Sequence, residues 1–160
     1  MRIARRAAEL VGEETAIAID AGSTGAKLAL ELTSANRLRV VTASVPVITA
    51  FLDAHAAEVV ALGGTLRRDA QSFFGPSTVA AASNLQVETY FMGAGAASER
   101  GVFVSLDGDA LLKRQLMAVA SRIFAAEGFL AIEPVPAYLL LRVRNATVND
   151  GFAVCISCHE

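Results

Sequence analysis

The 160-residue sequence has little of what marks membrane, exported or nucleic-acid-binding chains. No hydrophobic run reaches the length that a membrane-spanning helix needs. The formal net charge is −2, so nothing indicates a general attraction to nucleic acid. The arginines near the start are followed closely by glutamates, and the apolar centre of a signal peptide is missing. We therefore expect a cytoplasmic protein.

Cysteine and histidine are also scarce, with two of each. Cys155, Cys158 and His159 spell C-x-x-C-H, the pattern of a c-type haem attachment site. A single residue follows this pattern, and too few further ligands exist to complete a metal site. We interpret both cysteines as ordinary reduced thiols and expect no cofactor and no metal.

Apolar residues, by contrast, make up 54% of the chain and charged residues only 19%, which is typical of a globular domain with a full core. Helical and strand patterns alternate, which predicts a three-layer, Rossmann-like α/β fold: an open, mainly parallel sheet with helices on both faces. We predict one domain over residues 1–160. The predicted strands are 15–20, 38–42, 58–62 and 87–92, and the predicted helices are 2–11, 24–34, 45–54, 76–84 and a long helix within 107–126. Two later strands, 137–143 and 152–156, are predicted to form a hairpin or sheet edges.

The most informative segment is the small-residue loop after the first predicted strand. It reads Asp20-Ala21-Gly22-Ser23-Thr24-Gly25 and runs directly into a helix. The free N–H groups at a helix N-terminus attract anions, and glycines let a phosphate approach the backbone. The loop matches neither the P-loop nor the dinucleotide fingerprint. Two readings stay open: an anion site, or a tight turn in which Ser23 or Thr24 caps the helix.

Six motifs, taken in order and spacing, resemble the C-terminal sensor domain of the DeoR family of bacterial transcriptional regulators. They are residues 19–24, 41–44, 62–67, 72–76, 91–94 and 109–114. The resemblance implies a fold similar to ribose-5-phosphate isomerase, glucosamine-6-phosphate deaminase and the CoA-transferases. It also implies that a phosphorylated sugar binds and changes how the regulator holds its operator, and that the domain self-associates as a dimer or tetramer.

The same resemblance implies a set of binding residues and no catalytic residue. The phosphate loop would comprise Asp20, Gly22, Ser23, Thr24 and Gly25. The pocket would comprise Thr42, Ser44, Gly63, Gly64, Arg67, Gly93, Asp109 and Lys113. Asp109 and Lys113 are four residues apart on a predicted helix, so they could also pair with each other at the surface. Arg67 could equally lie in a solvated loop.

Three departures from the family pattern keep other functions open. Ala43 stands where the family commonly has asparagine, Gly95 stands where it has an acidic residue, and residues 127–160 do not follow the family. One alternative is an isomerase-type enzyme, in which Asp107, Asp109 and Lys113 could supply a carboxylate base and a cation that stabilises an enediolate. Another is an oligomerisation module that has lost its ligand.

The family's winged helix-turn-helix needs more residues than precede the first predicted strand. Two alternatives stay open: a domain excised from a longer chain, or a free-standing sensor. In the first, the helix at 2–11 is a linker to the family's helix-turn-helix, and DNA contact belongs to that domain outside this chain.

Overall fold

The computed structural model describes residues 2–12, 15–54, 57–94, 96–98, 101–104, 107–127, 138–141, 146–149 and 153–157. The helices are α1 (Arg2–Ala8), α2 (Ser23–Leu32), α3 (Val45–Ala50), α4 (Pro76–Ser83) and α5 (Asp107–Ala118). The strands are β1 (Ala16–Ile19), β2 (Leu38–Thr42), β3 (Ala57–Ala61), β4 (Thr65–Arg67), β5 (Ser72–Phe74), β6 (Val87–Ala94), β7 (Ala96–Ser98), β8 (Gly101–Val104), β9 (Ala120–Glu127), β10 (Tyr138–Leu141), β11 (Ala146–Asn149) and β12 (Ala153–Ser157). None of the described helices is long and apolar enough to cross a membrane.

A seven-stranded sheet in the order β11-β12-β9-β6-β1-β2-β3 forms the centre of the molecule. Its five strands from β9 to β3 are mutually parallel, and β12 and β11 add to the β9 edge as an antiparallel hairpin. Helices separate the parallel strands in sequence, as parallel pairing requires. The predicted α/β class with a mainly parallel sheet is therefore confirmed.

Alternate residues of the central strands enter two separate cores, one on each face of the sheet. In β1, Ala18 belongs to the core beneath α4 and α5, whereas Ile17 and Ile19 belong to the core beneath α1, α2 and α3. In β2, Val41 and Val40 divide in the same way. All five side chains are essentially inaccessible, which is why these strands read as continuous apolar runs. Helices therefore cover both faces of the sheet, as predicted.

The predicted long helix within residues 107–126 is present as α5, but the strand that follows it was missed. The helix ends at Ala118, and β9 follows. The segment is rich in alanine, so its local preference is helical. Pairing with β6 overrides that preference, because it buries Ala120, Ile123 and Ala125 against the sheet. The missed strand is the one that extends the parallel sheet beyond β6.

The structure also differs from the prediction in the hairpins. No strand is predicted between residues 62 and 87, but β4 and β5 pair there as an antiparallel ribbon. In the tail, the hairpin joins β11 to β12, whereas β10 pairs with β8 in a separate small sheet with β7. The predicted strands at 137–143 and 152–156 exist in part, with different partners from each other. Cys155 lies on β12, while Cys158 and His159 lie outside the described residues.

Candidate functional site

A cleft of about 490 Å³ opens at the carboxyl edge of the parallel sheet. Parallel strands place their following loops at this edge, which is where α/β sheets hold ligands. One wall is the segment after β1 with the first turn of α2, and another is the β4–β5 ribbon. The third wall is one face of α5. The lining residues are Asp20, Ala21, Gly22, Ser23, Ala26, Ala43, Pro46, Arg67, Asp69, Ala70, Gln71, Ser72, Phe73, Asp109, Leu112 and Lys113.

The N-terminus of α2 faces this cleft without a capping side chain. Gly22 is the N-cap residue at φ 127°, and among the described residues no side chain accepts a hydrogen bond from the first turn. The first intrahelical bond runs from the Ala26 N–H to the Gly22 carbonyl, 3.0 Å, so the preceding amides have no helical acceptor. The reading in which Ser23 or Thr24 caps this helix is thus not what the structure has. Free amides and the helix dipole make this end attractive to an anion.

The tight turn before α2 depends on the absence of a side chain at residue 25. A Cβ on Gly25 would lie 2.3 Å from the Asp20 carbonyl oxygen and 3.2 Å from the Ile19 side chain. Such distances are far inside van der Waals contact, so the turn needs glycine here. Gly22, by contrast, has open space around its Cα, on the cleft side. Both glycines therefore shape the loop, Gly25 through close packing and Gly22 through its φ of 127°, and Gly22 also leaves open space beside it.

Asp20 joins three elements at the bottom of the cleft. Its carboxylate accepts hydrogen bonds from the Ala21 N–H at 2.9 Å and the Gly93 N–H at 2.9 Å, and from the Lys113 ammonium. Lys113 also donates to the Gly93 carbonyl at 2.9 Å. The Asp20 and Lys113 side chains are only 11% and 9% exposed. The end of β1, the end of β6 and α5 are thus held together by one buried ion pair.

Burial lowers the pKa of Lys113 to about 7, because the ammonium loses most of its hydration inside the protein. The Asp20 carboxylate acts in the opposite direction, since a neighbouring negative charge favours the ammonium. Burial outweighs this attraction, because nine-tenths of the side chain is removed from water, so the pKa of Lys113 is lowered. Lys113 is therefore a cation whose charge is sensitive to pH near neutrality.

Arg67 and Asp109 form a second ion pair across the mouth of the cleft. Two guanidinium nitrogens of Arg67 donate to the two carboxylate oxygens of Asp109, both at 3.2 Å. Asp69 lies 3.4 Å from Arg67 Nε, but this buried nitrogen makes no properly aligned hydrogen bond within the described part of the chain. Asp109 and Lys113 do not pair with each other, which the sequence had left open. Asp109 pairs with Arg67, and Lys113 pairs with Asp20. The bidentate pair ties β4 to α5.

Tyr90 lies in the core on the α5 side, fully inaccessible to solvent. Its hydroxyl has no hydrogen-bond partner among the described residues. Burial, and secondarily the negative charge of Asp109, raise the pKa of Tyr90 well above its ordinary range. The negative charge of Asp109 therefore acts on the buried Tyr90 hydroxyl as well as on Arg67 at the cleft mouth.

Four residues predicted to line the pocket serve the framework of the site instead. The Thr42 hydroxyl donates to the Ile19 carbonyl at 2.7 Å and accepts from the Ser44 N–H at 3.0 Å. Ser44 is the N-cap of α3 and is fully buried. Gly63 and Gly64 have φ of 63° and 113° and turn the chain beside α4, where the Thr78 hydroxyl donates to the Gly63 carbonyl at 2.7 Å. None of the four is among the cleft residues.

Six of the nine remaining predicted residues line the cleft, and the other three lie next to it. Asp20, Gly22, Ser23, Arg67, Asp109 and Lys113 line the cleft. Thr24 and Gly25 lie in the first turn of α2 behind the lining, and Gly93 contacts Asp20 and Lys113 from below. Ala43, the departure from the family's asparagine, does line the cleft, whereas Gly95 lies outside the described residues.

Sequence reasoning missed the wall formed by the β4–β5 ribbon, which contributes Asp69, Gln71 and Phe73. Two backbone hydrogen bonds tie this ribbon to the segment after β2: the Val45 N–H donates to the Gln71 carbonyl and the Phe73 N–H to the Ala43 carbonyl, both at 2.8 Å. Gln71 adopts φ 48°, unusual for a residue other than glycine, at the turn into β5. The apolar pair Phe73 and Phe74 after a polar turn was the available signal for a hairpin.

Comparisons with known proteins agree with this architecture. A family model described as the DeoR C-terminal sensor domain matches residues 1–127. The chain is 31% identical over 122 residues to a protein of Escherichia coli O157:H7 named as an aga operon transcriptional repressor, covering 76% of this chain and 45% of that protein. It is 26% identical over 124 residues to the HTH-type transcriptional repressor GlcR of Bacillus subtilis (strain 168), covering 78% and 48%. The chain thus spans about half the length of these curated relatives.

Among solved structures, ribose 5-phosphate isomerase A of Neisseria gonorrhoeae matches with a TM-score of 0.52 at 18% identity, covering 76% of this chain and 48% of that one. The enzyme of Methanocaldococcus jannaschii matches with a TM-score of 0.50, at the same identity and coverage. Likeness at this identity shows the shared fold alone. The family match over most of the residues and the identity to a repressor show that this chain belongs to the DeoR C-terminal sensor domain family.

Proposed function

We propose that this domain is the effector sensor of a transcriptional repressor and binds a phosphorylated sugar in the cleft. The observation that carries the proposal is the uncapped N-terminus of α2, which faces the cleft with no acidic residue in its first turn. Helix ends without a capping partner are satisfied by water or by a ligand. A phosphate supplies several strong acceptors for such amides.

The proposed sugar moiety lies between the phosphate and the opposite wall of the cleft. That wall offers the Asp109 carboxylate and the Gln71 side chain, which suit ligand hydroxyl groups. Phe73 adds an apolar surface at the same wall. The combination of one anion subsite with several polar groups fits a small sugar phosphate.

A route from the cleft to a DNA-binding domain is supported by the contact of α1 with α2. Ala4 is buried in the same core as Leu28 and Ala29, and Arg5 pairs with Glu31 at 3.4 Å. A shift of α2 on binding anion would therefore move α1. We propose that this shift selects between two arrangements of the repressor subunits, and that the domain self-associates.

The test is a thermal-shift titration with sugar phosphates, their parent sugars and inorganic phosphate. A ligand at 100 times its dissociation constant stabilises the folded state by about 2.7 kcal/mol, an easily measured rise in Tm. We expect sugar phosphates to raise Tm and parent sugars to leave it unchanged. Equal effects of a sugar and its phosphate would contradict the proposal.

The sharpest variant is Ser23→Glu, at the exposed first position of α2. A carboxylate there favours the helix through its dipole but repels a phosphate. We therefore expect an unchanged or higher Tm without ligand, together with the loss of the ligand-induced shift. Gln86→Glu adds the same charge at an exposed site outside the cleft and should keep the shift.

An isomerase activity is the competing proposal, because Asp20 and Lys113 place a carboxylate and an amine of lowered pKa in one cleft. The contacts disfavour it, since the Asp20 carboxylate is already engaged by two backbone N–H groups and an ammonium. Turnover of ribose 5-phosphate that is abolished in Lys113→Ala would establish the enzyme instead.

A further inference from the structure

We propose that the cleft selects against any ligand that carries a second negative charge beyond its phosphate, and favours one whose far end bears hydroxyl or ammonium donors. This inference rests on the proposed function and narrows its ligand class. The residue that decides the selection is Asp109, acting together with Arg67.

The charged residues of the cleft lining disfavour a second anionic group on the ligand. The cleft-lining residues include the carboxylates Asp20, Asp69 and Asp109, and the cations Arg67 and Lys113. The lining thus carries one net negative charge even with Lys113 protonated. A phosphate at α2 depends on amides and a helix dipole, and two further anionic oxygens would meet an environment already negative.

The two cations of the lining, Arg67 and Lys113, are already paired with carboxylates of the protein. Arg67 gives two parallel N–H donors to Asp109 at 3.2 Å each, and Lys113 donates to Asp20 and to the Gly93 carbonyl. A carboxylate on the ligand would gain either cation only by displacing a carboxylate of the protein. A hydroxyl or ammonium group needs no displacement, because an ionised carboxylate such as Asp109 has lone pairs left to accept its hydrogen bonds.

The anion-attracting helix end and the carboxylates Asp69 and Asp109 lie on different walls of the cleft. The first turn of α2 contains no acidic residue. The Arg67–Asp109 ion pair lies on the other two walls, with Arg67 on β4 and Asp109 on α5. At the α2 end, the neighbouring Asp20 carboxylate is engaged by Lys113 and two backbone N–H groups, whereas the other walls present Asp69 and Asp109. Loss of the Lys113 proton above pH 7 leaves the lining as a whole more negative, which further disfavours a second anionic group.

The test compares ligands that differ only at the end away from the phosphate. Matched pairs are glucitol 6-phosphate with 6-phosphogluconate, and ribitol 5-phosphate with 5-phosphoribonate, in each of which a terminal alcohol is replaced by a carboxylate. Dissociation constants are measured by isothermal titration at pH 6.5, with glucosamine 6-phosphate as the ammonium-bearing probe. We expect each acid to bind at least tenfold more weakly than its alcohol.

The matched variant is Asp109→Asn, which removes the charge and frees the Arg67 guanidinium for a ligand carboxylate. In this variant, the ratio of the acid's dissociation constant to that of its alcohol should fall at least tenfold, so that the preference for the alcohol is lost or reversed. Asp53→Asn makes the same exchange at an exposed site outside the cleft and should leave the ratio unchanged. If Asp109→Asn does not fold, Asp69→Asn removes another negative charge from the cleft lining. It should also lower the ratio of the acid's dissociation constant to that of its alcohol.

The outcomes separate the two proposals. Binding of an acid as tight as that of its alcohol in the wild-type protein overturns the inference and leaves sugar-phosphate sensing intact. A ratio that Asp109→Asn or Asp69→Asn does not change overturns it as well. If no phosphorylated compound binds while the protein remains folded, the proposed function itself fails, and the inference with it.

Discussion

Replacement of Thr42 by valine distinguishes a framework role from a ligand-binding role. Valine has nearly the same shape as threonine but lacks the hydroxyl, so packing is preserved while both hydrogen bonds of Thr42 are lost. The hydroxyl now donates to the Ile19 carbonyl and accepts from the Ser44 N–H, in a site with no solvent exposure. The variant therefore leaves two buried polar groups of the backbone without these partners.

The size of the effect follows from those two bonds. Each buried hydrogen bond contributes about 1 kcal/mol net, and a polar group left unsatisfied costs about 1–3 kcal/mol. We expect the free energy of unfolding to fall by about 2–4 kcal/mol, which leaves a typical domain still folded. A loss of about 2 kcal/mol corresponds to a fall in Tm of roughly 4–8 °C for a domain of this size.

The assay is urea denaturation followed by far-ultraviolet circular dichroism, because the chain has no tryptophan. Thr78→Val is the matched control, since the Thr78 hydroxyl makes one such bond, to the Gly63 carbonyl. It should cost about half as much as Thr42→Val. Ligand affinity should stay within about twofold in both folded variants.

Two results would refute this reasoning about Thr42. A destabilisation below about 0.5 kcal/mol would mean that the two hydrogen bonds contribute little, within the range of ordinary surface substitutions. A tenfold loss of sugar-phosphate affinity without destabilisation would mean that Thr42 contacts the ligand, as the sequence resemblance implied.

Two further predictions concern the loop before α2 and the titration of Lys113. Gly25→Ala places a Cβ 2.3 Å from the Asp20 carbonyl oxygen, so we expect a loss of more than about 2 kcal/mol of stability by urea denaturation and the loss of ligand binding, whereas Ala26→Ser in the next position should be mild. A wild-type affinity in Gly25→Ala would show that the loop adjusts freely. Because the folded pKa of Lys113 is lowered to about 7, the unfolded chain alone holds its proton between about pH 7 and pH 10.5. The free energy of unfolding of the wild type, relative to Lys113→Gln, should therefore rise by more than about 1 kcal/mol from pH 7 to pH 9. An unchanged difference over this range would show that the Asp20 charge outweighs burial, because Lys113 would then keep its proton in both states.

Much of the fold could be predicted from the sequence, because its signals are local. The apolar runs of β1 and β2 are continuous since both faces of the sheet are covered, and Pro76 marks the start of α4. β9 could not be predicted, because its alanine-rich sequence favours a helix and only pairing with β6 makes it a strand. That is a long-range cause, which local patterns do not contain.

The site was predicted in its chemistry but less well in its geometry. Asp20, Ser23 and Lys113 were expected together, and a cleft brings them together. Thr42 and Ser44 were expected in the lining, but their hydroxyls turn inward to satisfy buried backbone groups. A polar residue at a strand end serves either purpose, and only the fold decides which.

The most direct test of anion binding at α2 is a nuclear magnetic resonance titration of backbone amides with a sugar phosphate that binds, against its parent sugar. If the free amides of Ser23, Thr24 and Gly25 hold the phosphate, their resonances should shift with the phosphate ester and stay in place with the sugar. Largest shifts at amides far from α2, or equal shifts with both compounds, would contradict the assignment of this helix end as the phosphate site.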